Sequence, residues 1–171
     1  MKFLKAFLVV VLILLAGLTL MGVFIPEIDD EMEVQVNEPI ITVFAGMMNT
    51  NDLTEWVDDL ESVNQTGGIL AMPGSTFELT FKSHETTQVY NMEILEMKPM
   101  KSVRFRLFND KLDIETSVNF KADGITATDL EIFVQIKGED FLTRAMVPLM
   151  KSVIMEAIEQ DFQNFKQLQE S

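Results

Sequence analysis

The chain has 171 residues, no cysteine, 13 basic against 27 acidic side chains and 47% apolar residues, with a mean hydropathy of +0.17. A net charge of −14 argues against nucleic acid as a partner, because phosphate backbones repel it. The lack of cysteine excludes disulfides, thiolate nucleophiles, iron–sulfur clusters, cysteine-based zinc sites and lipidation after a signal segment.

Positive hydropathy in so acidic a chain means that its apolar residues are segregated. Residues 6–25 are twenty consecutive positions without a charge, and a helix of that length, at about 1.5 Å per residue, spans a hydrocarbon core of about 30 Å. Lys2 and Lys5 precede the run, and no Lys or Arg follows until Lys82, while twelve carboxylates fill the interval. That asymmetry predicts a cytoplasmic N-terminus and an extracytoplasmic remainder on a cell membrane. A cleaved signal has an apolar region of about 7–15 residues and a small-x-small site. Here the run is longer and Leu20-Met21-Gly22-Val23-Phe24 offers no such site, so residues 1–25 are expected to be a retained single-pass anchor; cleavage would leave a secreted domain. Gly17 and Gly22 lack the GxxxG spacing of a helix-pairing motif. Setting aside these 25 residues, with their two lysines and no acid, leaves 146 residues at net −16, enough for one domain with a sizeable core.

Residues 26–31 read as an acidic linker and 32–171 as the domain. Met32, Val34 and Val36 alternate with polar residues as in a strand. Asn37 and Pro39 mark a helix start, with Asn37 as cap, followed by Ile40, Val43, Phe44, Met47 and Met48 at helical spacing. Thr50 or Asn51 is expected to cap a second short helix carrying Leu53, Trp56 and Val57. From residue 60 the period becomes 2. The inward positions are Phe77, Leu79 and Phe81; Tyr90, Met92 and Ile94; Val103, Phe105 and Leu107; Leu112, Ile114, Val118 and Phe120; and Leu130, Ile132, Val134 and Ile136. Gly67-Gly68, Pro73-Gly74, Lys98-Pro99, Asn109-Asp110-Lys111 and Asp123-Gly124 supply turns. From Phe141 onward an amphipathic helix of more than six turns carries Leu142, Met146, Leu149, Met150, Ile154, Ile158, Phe162 and Phe165. Pro148 predicts a kink or a fresh start within it. An antiparallel sheet with one dry face needs such a helix as cover.

The order strand, two short helices, meander, long C-terminal helix resembles the helix-grip fold of the START-like (SRPBCC) superfamily. That group includes birch pollen allergen proteins, lipid-transfer START domains and polyketide cyclase/dehydrase relatives. Val36-Asn37-Glu38-Pro39-Ile40-Ile41-Thr42-Val43-Phe44 looks like the family opening, and Trp56 follows at the usual distance. Glu96-Met97-Lys98-Pro99-Met100-Lys101-Ser102-Val103 resembles the turn between middle strands, and Gly124-Ile125-Thr126-Ala127-Thr128 the turn and strand before the final helix. The resemblance covers residues 32–168. It implies an α+β helix-grip domain of six or seven antiparallel strands wrapped around the C-terminal helix, behind one transmembrane helix. It also implies a deep cavity of the kind used in the superfamily for sterols, lipids, polyketides and plant hormones. A fold of this kind hosts many functions.

Chemistry-bearing residues are sparse. The single histidine, His84, falls in a turn without a partner, and there is no G-x-S-x-G, glycine-rich phosphate loop or EF-hand spacing. Asp29-Asp30-Glu31 and Asp58-Asp59-Leu60-Glu61 read as solvated clusters. No cofactor or metal is expected. Ten of the twelve methionines lie beyond the anchor, and methionine suits adaptable apolar surfaces as well as ordinary core filling. The expected cavity wall is Phe77, Leu79, Phe81, Tyr90, Met92, Ile94, Phe105, Ile132, Val134, Met146, Met150 and Ile154. Tyr90 and Thr128 are polar candidates, whereas Arg104 and Arg106 fall on the wet face. The apolar segment 67–74 reads equally as a binding surface or pocket mouth and as a tucked strand edge.

The leading expectation is a membrane-anchored domain that binds or shuttles a hydrophobic small molecule or lipid without chemistry. The alternatives are a polyketide cyclase-like enzyme and a protein-interaction module of unidentified partner.

Overall fold

The computed structural model describes residues 27–83 and 86–171, together with Phe7, residues 10–13 and Gly17. Most of the 6–25 run and His84 lie outside the described residues. Among the described residues no helix is long and apolar enough to cross a membrane.

Strand β1 (Glu27–Val36) leads into helix α1 (Ile40–Met47) and a single turn, α2 (Leu53–Trp56). Six strands follow: β2 (Leu60–Gly67), β3 (Thr76–Ser83), β4 (Thr86–Lys98), β5 (Ser102–Phe108), β6 (Leu112–Asp123) and β7 (Ala127–Gly138). Helix α3 (Phe141–Gln169) closes the chain. The strands form one antiparallel sheet in the order β1-β7-β6-β5-β4-β3-β2, wrapped around α3 in the helix-grip arrangement.

The acidic stretch 27–31 is strand rather than linker. Its odd positions, Glu27, Asp29 and Glu31, continue outward from Glu33 and Gln35, while Ile28, Asp30 and Met32 are turned inward. Asp30 is tolerated there because Lys151 of α3 meets it at 2.9 Å, and this ammonium holds the carboxyl below its ordinary range. Each of Val34, Val36, Val118, Leu130, Ile132 and Ile136 is buried. Removing such a side chain from water contributes about 1.5–3 kcal/mol, so this block of strands fixes the register.

Capping departs from expectation. Pro39 occupies the start of α1 without a side-chain cap. Asn37 instead donates its backbone N–H and Nδ2 to Glu170 Oε1, at 2.7 and 2.9 Å, tying β1 to the end of α3. Asp52, not Thr50 or Asn51, precedes α2, also without a cap bond. The start of α3 is capped: Asp140 accepts from the Thr143 N–H at 2.8 Å. No fresh start occurs at Pro148, since α3 runs through it. The missing proline N–H leaves the Arg144 carbonyl without its helical donor. Gly138 lets this helix start lie against the end of β7, for an added Cβ would sit 2.4 Å from Arg144 N.

Candidate functional site

A cavity of about 170 Å³ lies between the sheet and the helices. Alternation aims Leu79 and Phe81 of β3, Met92 and Ile94 of β4, Val103, Phe105 and Leu107 of β5, and Ile114 and Thr116 of β6 into it. The α1–α2 region closes one side with Met47, Met48, Thr50, Leu53, Trp56 and Val57. Ile158, Asp161 and Phe162 of α3 close another. Thr50, Thr116 and Asp161 are the polar residues of this wall. A dry engineered cavity of about 150 Å³ takes benzene, so a ring or a short alkyl chain fits without rearrangement, and a larger lipid requires the helices to part.

The wall's one charged side chain is Asp161. It belongs to the row Ile154, Ile158, Asp161, Phe165, spaced by four, three and four residues, that α3 turns toward the interior. Its Oδ1 accepts the backbone N–H of Asp58 at 2.8 Å. Asn164 holds this corner in place, donating to Asp58 Oδ1 at 3.0 Å and to the Trp56 carbonyl at 3.2 Å. Burial pushes the Asp161 carboxyl up to about 7; the Asp58 N–H opposes this, and the charges of Asp58 and Asp59 reinforce it. Beside it Trp56 packs against Phe165 and Phe162, with ring centroids 5.2 and 6.2 Å away. The Trp56 Nε1–H is the buried side-chain polar atom left without a partner among the described residues.

Five of the twelve residues expected from the sequence stand in this wall: Leu79, Phe81, Met92, Ile94 and Phe105. Phe77 is buried beside a separate concavity of about 310 Å³, shared with Val63 and Leu70. Tyr90 stands outside the wall, edge-on to Phe81 at 5.5 Å, with its hydroxyl donating to Gln88 Oε1 at 3.0 Å. Burial raises its pKa. Ile132 and Val134 are buried on β7, between β1 and β6 in the sheet, and line no part of the cavity. Ile154 is half-buried against the core but outside the wall. Met146 and Met150 are exposed, because the first half of α3 is apolar on two sides and these two occupy the outer one.

Sequence reasoning missed the contribution of α1, α2, Ile158 and Phe162, and above all Asp161. The signal for Asp161 was its place in the 154, 158, 161, 165 row. Thr128 is fully buried and donates to the Glu38 carbonyl at 2.9 Å, a structural bond joining β7 to the start of α1. Arg104 and Arg106 pair on the outer face, Arg104 with Glu115 at 3.1 Å and Arg106 with both oxygens of Asp113 at 2.7 and 2.6 Å. After Gly67, the last residue of β2, segment 68–74 is a surface loop exposing Ile69, Leu70 and Met72, and it lines no part of the cavity. A larger hollow of about 450 Å³ on the outer face, lined by Asp29, Glu31, Glu115 and Phe133, is an open acidic groove and cannot shield an apolar ligand from water.

At the level of sequence no family model and no curated protein matches this chain. Solved structures do. The Zhui aromatase/cyclase from Streptomyces sp. R1128 superposes with a TM-score of 0.71 at 11% identity, over 84% of this chain and 94% of that one. Ara h 8.0201 gives 0.69 at 13% identity, over 84% and 97%. Norcoclaurine synthase from Thalictrum flavum, solved with dopamine and hydroxybenzaldehyde, gives 0.63 at 10% identity, over 87% and 90%. At these identities the likeness establishes the helix-grip fold alone.

Proposed function

We propose that this protein is a membrane-anchored helix-grip domain that binds a hydrophobic small molecule or a lipid chain in its internal cavity. The observation that carries the reading is the apolar cavity itself, walled by four strands and three helices with one charge in it. Neighbours of the same fold support it, among them an aromatase/cyclase and a synthase solved with two small aromatic compounds. The anchor at residues 1–25 rests on the uncharged run and its flanking charges. It holds the domain outside the cytoplasm, next to the phase in which such ligands partition. Native mass spectrometry of the full chain in mild detergent, with extraction and identification of co-purifying lipids, tests binding. An empty protein that also ignores fluorescent fatty acids and isoprenoid quinones refutes it.

Asp161 favours a second reading, an enzyme of the cyclase type. A carboxyl poised near neutral pH in an apolar wall is suited to move a proton at a bound ligand. Under this reading Asp161→Asn abolishes turnover of a bound ligand and spares its affinity; under pure binding it leaves the ligand chemically unchanged in both proteins.

A further inference from the structure

The first three turns of α3 carry an apolar face that covers nothing among the described residues. Leu142, Met146, Leu149 and Val153 recur at intervals of four, three and four, with Met150 beside them and Phe141 at the helix start. These six are between 37 and 64% exposed. The row is turned away from Val147, Phe162 and Phe165, which α3 buries. Further along the helix the same side becomes Glu156, Gln160 and Gln167, all exposed. A stripe that is apolar for three turns and then polar marks a boundary between two surroundings, and one this size on a soluble surface marks an interaction site.

Its position indicates what lies there. Asp30 meets Lys151 at 2.9 Å, whereas Asn37 meets Glu170, so α3 runs alongside β1 in the same direction. Glu27 pairs with Lys137 near the end of β7, four residues before α3 begins. The exposed stripe therefore stands at the end of the domain where β1 begins, directly after the 6–25 run. That run cannot itself be the cover. As a helix, twenty uncharged residues would present apolar side chains on nearly every side, and a single helix stripe would shield only one of them. Phe7, Val10, Leu12 and Ile13 are moreover all more than half exposed.

We propose that the first half of α3 lies on the bilayer surface, with Phe141, Leu142, Met146, Leu149, Met150 and Val153 in the interfacial region and Gln160 clear of it. This rests on the anchor reading above. Lys111, Lys137, Arg144 and Lys151 share this end with Glu27, Asp30, Asp110, Asp113, Glu139 and Asp140, so no basic excess lies there and attachment is apolar rather than electrostatic.

Because the chain has no cysteine, single-cysteine variants report unambiguously. Full-length Leu142→Cys, Leu149→Cys, Val153→Cys and Gln160→Cys, each labelled with an environment-sensitive fluorophore, are reconstituted into phosphatidylcholine vesicles with and without spin-labelled lipid. Trp56 emission checks folding. The expected result is at least twofold quenching at 142, 149 and 153, none at 160, and no change between low and high salt. Labels at the three positions as water-exposed as at 160, in a chain that stays with the vesicles after alkaline carbonate washing, overturn surface docking and leave the anchor intact. Labels that are shielded yet unquenched overturn it in favour of a protein cover. A chain that the wash removes, without quenching, overturns docking and anchor together.

Discussion

Asp161→Asn isolates the one charge in the cavity wall. Asparagine keeps the shape and can still accept the Asp58 N–H, so the substitution removes the titration and little else. Burial pushes the Asp161 carboxyl up to about 7 in the folded state, above its ordinary value of 3.8. A raised carboxyl stabilises the fold when protonated, and that contribution is lost as pH rises toward and through 7. At about 1.36 kcal/mol per pH unit, wild type should lose about 3 kcal/mol relative to the variant between pH 5 and pH 8 as an upper bound. Solvent reaching a partly open cavity reduces this to roughly 1–2 kcal/mol. Urea unfolding followed through Trp56, which packs on the same helix, is the assay. Asp161→Asn should be nearly flat over that interval and more stable than wild type at pH 8. Parallel pH profiles for the two proteins would refute the claim that burial raises the Asp161 carboxyl.

Other perturbations separate cavity from scaffold. Ile114→Phe extends a ring into the cavity; it should raise unfolding stability by about 1 kcal/mol, since cavity volume costs about 24 cal/mol per Å³, while weakening ligand binding in a fluorescence displacement titration. Gly138→Ala forces a Cβ against Arg144 N and Thr143 C at 2.4 and 2.7 Å; a loss of roughly 1–3 kcal/mol is expected from overpacking, read as a lower urea midpoint. Arg106→Ala breaks the two-pronged contact with Asp113 on the outer face; it should cost about 1 kcal/mol and leave ligand affinity unchanged, and a change in affinity would place the cavity on the wrong face.

The strands were legible because period 2 is strong wherever one face is dry, as in Phe77, Leu79 and Phe81 or Leu130, Ile132, Val134 and Ile136. The start of β1 was hidden by composition: Glu27, Asp29 and Glu31 alternate like any outward row, but the inward Asp30 between them is acceptable only because a lysine 121 residues away meets it. The cavity was half legible for a similar reason. Alternation identifies which side of β3, β4 and β5 is dry, whereas α3 carries two apolar sides over its first half. Only tertiary packing distinguishes the buried Val147 from the exposed Met146 and Met150. Asp161 shows the complementary failure, a polar residue inside an apolar row that composition hides and spacing reveals.

The claim that the cavity receives an apolar molecule is tested most directly at its own methionines. With methyl-labelled methionine, NMR titration with octan-1-ol should shift the Met47, Met48 and Met92 methyls in the cavity wall saturably. Met72 and Met100, exposed in turns, should stay in place. No movement at Met47, Met48 and Met92, or drift of all five without saturation, would contradict the account.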